Sequence, residues 1–214
     1  MKLQSLVLAA ATTLAMTSAF AVPAGTWTVG AGAHYVDPKS DNGTVTVPTK
    51  PTATTLAVDV DSDIRPTLTG EYFFADNLGV ELLAAIPFHH DITLTDATGA
   101  EIKGRTQHLP PTVSLQYHFD GYNMPMNVKP FVGVGLNYTT FFKERIYTGD
   151  DLNIKDSYGV AGHVGVDFPY SATEAFRIDA RYMDIKPDVE LNGADIGSVD
   201  ISPWVYGVAF VKSF

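Results

Sequence analysis

Cysteine is missing altogether from the 214 residues, which excludes a disulfide framework, a thiolate metal site and a lipid-anchored N-terminal cysteine. Long apolar runs are missing too. The stretch from Leu6 to Ala15 contains Thr12 and Thr13 and is followed by Thr17 and Ser18, so it falls well short of the roughly 20 apolar residues a membrane helix needs. Beyond it, Gly, Pro, Asp and Thr interrupt every apolar segment, and a chain of this kind can cross a membrane only as strands. Basic residues are scarce: 14 Lys and Arg against 24 Asp and Glu give a formal charge of −10, a sign that repels phosphates and excludes nucleic acid as a partner. Neither a cofactor nor a metal is expected.

What is present at the N-terminus is Met1-Lys2, a short apolar middle, and Ala19-Phe20-Ala21. That is the charged start, greasy core and small-x-small exit of a secretory signal, so residues 1–21 are expected to be cleaved after Ala21. The remaining 193 residues, with a formal charge of −11 once Lys2 is gone, suffice for one domain (22–214) of eight membrane strands with loops.

Period-two alternation supports that architecture. From Trp27 to Tyr35 the odd residues Trp27, Val29, Ala31, Ala33 and Tyr35 form an apolar face, with Thr28, Gly30, Gly32 and His34 opposite. A second segment sets Ile64, Pro66, Leu68, Gly70, Tyr72 and Phe74 against Arg65, Thr67, Thr69, Glu71 and Phe73. In a third, Val80, Leu82, Ala84, Ile86 and Phe88 oppose Glu81, Leu83, Ala85 and Pro87. Val113, Leu115, Tyr117 and Phe119 then oppose Thr112, Ser114, Gln116 and His118. The fifth places Val132, Val134, Leu136 and Tyr138 against Phe131, Gly133, Gly135 and Asn137, and the sixth places Tyr158, Val160, Val164, Val166 and Phe168 against Gly159, Ala161, His163, Gly165 and Asp167. Phe176, Ile178, Ala180 and Tyr182 face away from Arg177, Asp179, Arg181 and Met183; finally Trp204, Tyr206, Val208 and Phe210 face away from Val205, Gly207, Ala209 and Val211. Eight such segments, apolar outside and small or polar inside, predict an all-β, eight-stranded antiparallel transmembrane β-barrel.

Connections alternate in length. Long stretches at 38–62, 89–110, 143–156 and 184–202 are read as external loops, and short turns near Ala75, Asp120 and Pro169 as periplasmic, with both chain ends in the periplasm. Aromatics gather at two heights: Trp27, Tyr72, Phe74, Tyr117, Phe119, Phe168, Phe176 and Phe214 toward the turns, and Tyr35, Phe88, Tyr138, Tyr158, Tyr182 and Trp204 toward the loops, as membrane interfaces favour. A soluble lipocalin-like barrel would reverse the pattern, with greasy residues within and charges outside. Here Arg65, Glu71, Glu81, Asp167, Arg177 and Asp179 share a face with Gly and Thr.

Several segments also resemble the OmpW family of small outer-membrane barrels in wording: Asp76-Asn77-Leu78-Gly79-Val80-Glu81-Leu82-Leu83-Ala84-Ala85 with Pro87-Phe88, His108-Leu109-Pro110-Pro111-Thr112, and the run from Gly133 to Phe142. Further on, Lys155-Asp156-Ser157-Tyr158-Gly159, Gly165-Val166-Asp167, Arg181-Tyr182-Met183-Asp184-Ile185 and Pro203-Trp204-Val205-Tyr206 continue it in order. The resemblance implies a Gram-negative outer-membrane location among lipid and lipopolysaccharide. It also implies a lumen that is apolar at its outer mouth and closed toward the periplasm, and passage of small hydrophobic compounds, alkanes among them, that enter from outside and leave sideways into the membrane. Phe214, after the outward Tyr206, Val208 and Phe210, resembles the C-terminal signal read by the barrel assembly machinery.

An eight-stranded barrel is only wide enough for side chains, which disfavours a water-filled channel. Glu71, Glu81, Asp167, Arg177 and Asp179 are therefore read as a mixed-sign ionic plug, either a seal that forces lateral exit or simply a set of buried charges finding partners. Leu83, Pro87, Phe131, Arg181, Met183 and Val205 are the candidates for lining a ligand passage, the apolar ones among them being equally readable as simple packing, and the charge of Arg181 sits poorly with a greasy route. Pro87, Pro110, Pro111 and Pro203 fall at strand ends, where a missing N–H either opens the wall or merely ends pairing. His89, His90, Asp91 and His108 offer the residue types of a hydrolytic or metal site, but no companion Ser is suitably spaced and the histidines are expected to be solvated loop residues. The chain is thus expected not to be an enzyme; the alternative to transport is a structural or surface-recognition barrel whose loops serve adhesion or reception.

Overall fold

The computed structural model describes residues 21–48, 53–121 and 124–214. The expected export signal, apart from Ala21, lies outside the described residues.

Alternation makes each strand amphipathic, and lipid outside with packed side chains inside is the arrangement that satisfies both faces and leaves no open edge. Strands β1 (Trp27–Asp37), β2 (Thr44–Val47), β3 (Thr54–Val60), β4 (Asp63–Ala75), β5 (Leu78–Ala85), β6 (Phe88–Thr95), β7 (Glu101–Leu109) and β8 (Thr112–His118) are followed by the long β9 (Lys129–Ile146). Then come β10 (Leu152–Ile154), β11 (Ser157–Pro169), β12 (Glu174–Met183), β13 (Asp188–Leu191), β14 (Ala194–Ser198) and β15 (Trp204–Ser213). The antiparallel ladder β1-β4-β5-β8-β9-β11-β12-β15 returns to β1 and closes an eight-stranded barrel. Its inside-out order is the expected one: Val134 and Leu136 are 68% and 70% exposed, whereas Glu81 and Arg181 are 0% and 1% exposed. At the turn after β4, Asn77 adopts a φ of 60°, a left-handed conformation that asparagine tolerates. Its side-chain oxygen accepts from the Val22 N–H and its amide donates to the Asp120 carbonyl, tying two turns and the chain entry together.

Two expectations are corrected. Phe88 was placed on the lipid face by continuing the alternation of β5, but it is buried inside. The strand breaks at Ile86-Pro87, and one break in register exchanges the faces of everything beyond it. The four long connections are not irregular loops either. Three carry hairpin strands of their own, β2 with β3, β6 with β7, and β13 with β14 joined by β10 from the third connection. The wall therefore rises well above the loop-side aromatics Tyr35, Tyr138, Tyr158, Tyr182 and Trp204.

Height on the lipid face has an energetic signature. Val134→Arg is expected to destabilise the barrel by about 2–4 kcal/mol, while Tyr158→Arg, at the aromatic belt, costs about 0–1 kcal/mol. Denaturant titration of each variant folded in lipid vesicles measures the difference, and equal costs would contradict the placement of the bilayer midplane near Val134.

Candidate functional site

The lumen divides into two halves of opposite chemistry. Small residues make the lower half possible: a Cβ on Gly207 would overlap the His34 ring, and one on Gly165 would overlap the Phe131 ring. Into that room the strands project an ion network. Arg177 grips Asp167 with Nε and Nη2, at 2.7 and 2.9 Å, and donates from Nη1 to Glu81 at 3.1 Å. Arg181 stands 2.8 Å from the other oxygen of Glu81 and 3.1 Å from Asp179. Asp179 also accepts from His163 Nε2 at 3.0 Å and His34 Nε2 at 3.2 Å. The second nitrogens of those rings are met by Gln116 at 2.8 Å and Thr67 at 2.6 Å, which is one consistent set of neutral tautomers. Glu71 meets His118 at 2.9 Å, and Arg177 lies over the Phe131 ring, 4.3 Å from its centroid.

Of the five residues read as a plug, Glu81, Asp167, Arg177 and Asp179 thus belong to one network, while Glu71 pairs separately with His118. The passage candidates divide. Leu83, Met183 and Val205 surround a cavity of about 10 Å³ directly above the network, together with Phe88, His108 and Pro110. Arg181 is corrected: it is no isolated charge in a greasy route but part of the ion network. Phe131 is corrected as well, being packed among His118, His163 and Arg177 below. Pro87 is half-buried at the wall break and lines neither the small cavity nor the larger one above it.

That larger cavity, of about 360 Å³, occupies the raised mouth and is walled by the hairpin strands. Val45, Leu56, Val58, Ile92, Leu94, Ile146, Ile154, Val189 and Ile196 are among its lining, and they form one buried apolar cluster continuous with Leu83 and Val205 below. Sequence reasoning missed these residues because they fall within stretches taken as loops. The signal was nevertheless present as short alternations such as Thr44-Val45-Thr46-Val47 and Asp91-Ile92-Thr93-Leu94. At the opposite end a vestibule of about 550 Å³ opens among Thr28, Asp120, Lys129, Arg177 and Phe214. Asp167 and Arg177 line that vestibule, so the network separates the two spaces.

His90 and His108 are also corrected. Both face inward with 1% and 2% exposure, stacked 4.8 Å apart at the base of the apolar mouth, with Phe88 stacked on both rings and Phe141 tilted against His108. His89 alone of that group of histidines is exposed. Burial pushes both inward imidazoles below the usual histidine range; a hydrogen bond to the Asp61 carbonyl opposes it at His90, and the neighbouring His90 adds to it at His108.

The wall itself is interrupted beside these rings. The β5–β8 ladder stops at Leu83 and Thr112, and the β6–β7 ladder starts at Phe88 and His108. Residues 84–87 and 109–111 between them stand outside both registers. Pro110 and Pro111 have no N–H to give, and their carbonyls accept from β9, from Asn137 Nδ2 at 3.3 and 3.4 Å and, at Pro111, from the Tyr138 N–H at 3.1 Å.

Comparison with known proteins gives a consistent result. The OmpW family model matches residues 23–214. Outer membrane protein W of Escherichia coli (strain K12) is 37% identical across 96% of each chain. The crystal structure of the outer membrane protein OprG from Pseudomonas aeruginosa superposes with a TM-score of 0.78 at 32% identity, covering 91% of this chain and 98% of that one. The solid-state NMR structure of outer membrane protein AlkL in DMPC lipid bilayers shares the fold, with a TM-score of 0.64 at 19% identity over 93% and 94% of the two chains.

Proposed function

This chain belongs to the OmpW family of outer-membrane β-barrels, and from that premise we propose that it carries small hydrophobic molecules inward through its apolar mouth and releases them sideways into the membrane. One observation carries the reading: an apolar cavity of about 360 Å³ opens above a lumen closed by a buried ion network. An apolar solute gains about 0.8 kcal/mol for each CH₂ it buries in such a mouth, but crossing the network would strip the ions of partners. Descent therefore stops near Leu83, next to residues 84–87 and 109–111, which are held by β4 and β9 on their outer sides but do not pair with each other. Lateral release there requires no charge to be disturbed. In the same reading, residues 1–21 serve as the export signal and Phe214 as the mark recognised by the assembly machinery, which delivers the barrel to lipid and lipopolysaccharide.

Uptake of a radiolabelled alkane by cells with and without the protein tests the proposal. Faster uptake with the protein is expected, and equal uptake would put a structural or surface-recognition barrel in its place.

A further inference from the structure

The cavity at the mouth is not uniformly greasy. At its base His90 Nε2 and His108 Nδ1 are buried with no hydrogen-bond partner among the described residues, and both rings line the cavity. A buried polar atom left unpaired is costly, so a ligand that meets it is favoured. The tautomer of His90 is determined by its other side: Nδ1 bonds to the Asp61 carbonyl, which can only accept, so Nδ1 carries the hydrogen and Nε2 is a bare lone pair. His108, held neutral by burial, offers one N–H and one lone pair. Stacking on Phe88 and His90 and a tilted contact with Phe141 hold its ring in place.

We propose that this histidine pair selects apolar molecules bearing a hydroxyl head, that is, aliphatic alcohols, seated with O–H donating to His90 Nε2 and the alkyl chain against Val58, Ile92, Leu94 and Ile146. A hydroxyl both donates and accepts, which answers the lone pair of His90 and leaves its oxygen free for an N–H of His108. An ether or ester can only accept and leaves Nε2 of His90 unmet. An alkane meets neither nitrogen. The proposal rests on the apolar-passage reading and narrows its substrate class.

Three ligands of equal heavy-atom count separate the two ideas: 1-hexanol, methyl pentyl ether and heptane, each titrated into the full barrel in lipid nanodiscs while the imidazole nitrogen resonances are followed. Hexanol is expected to bind about tenfold more tightly than the ether or heptane, one hydrogen bond's worth of affinity, and to shift Nε2 of His90 in the direction of an accepted hydrogen bond. His90→Phe, which keeps the stacked ring, and His108→Phe, whose Nδ1 has no hydrogen-bond partner among the described residues, should each reduce the preference for hexanol over heptane toward none. Binding of all three with equal strength, unaltered by either variant, would overturn the hydroxyl selection yet leave the apolar mouth intact. Failure of all three to perturb any mouth residue would remove the passage reading together with this one.

Discussion

Arg177→Met is expected to destabilise the folded barrel by about 3–5 kcal/mol, the magnitude associated with removing one partner from a buried ion pair. The guanidinium bonds two carboxylates at once, Asp167 through two nitrogens and Glu81 through the third, and is itself 3% exposed. Methionine fills most of the volume over Phe131 but leaves Asp167 without its cation. Glu81 fares better, because Arg181 remains 2.8 Å away. The penalty therefore falls mainly on Asp167, and a second change tests that division: Arg177→Met with Asp167→Leu removes the stranded charge and should recover more than half of the loss. Denaturant titrations of the three proteins in lipid vesicles measure both steps. A double variant no more stable than the single one would show that packing over Phe131, not charge pairing, is what Arg177 contributes.

The network was legible in the sequence as positions but not as partners. Strict alternation along β4, β5, β11 and β12 places Glu71, Glu81, Asp167, Arg177 and Asp179 inside, because a period of two leaves no choice of face once lipid takes the other. Which carboxylate meets which guanidinium depends on strand stagger around the closed barrel, and nothing local encodes that stagger. This is why Arg181 read as an intruder in the passage, although Asp179, two residues before it and also inward-facing, is one of its partners. Alternation also fails wherever a strand breaks, as Phe88 shows: Pro87 signals the interruption, yet only the three-dimensional path tells that the chain resumes on the opposite parity. The apolar mouth was hidden for another reason. Four of its strands, β2, β10, β13 and β14, are three to five residues long, too short for periodicity to separate them from Thr- and Asp-rich loops, while the longer β3 and β6 lie inside stretches whose length alone marked them as loops.

Leu83→Arg is expected to slow entry of an apolar solute at least tenfold in correctly assembled protein. Leu83 is 3% exposed and borders the cavity of about 10 Å³ between the mouth and the ion network, with Met183 and Val205 beside it and Pro110 toward the wall break. A solute leaving sideways at residues 84–87 and 109–111 must slide past this side chain. Substituting a guanidinium removes apolar surface at this small cavity, and each CH₂ that can no longer be buried there forfeits about 0.8 kcal/mol, so two such groups already account for the tenfold effect. Leu83→Met conserves volume and character and should leave uptake unchanged, which separates loss of greasiness from loss of packing. Assembly of both variants is checked first by their resistance to protease in whole cells. If assembled Leu83→Arg takes up alkane as fast as the unaltered protein, solutes do not descend as far as Leu83, and the apolar mouth is where their route through the lumen ends.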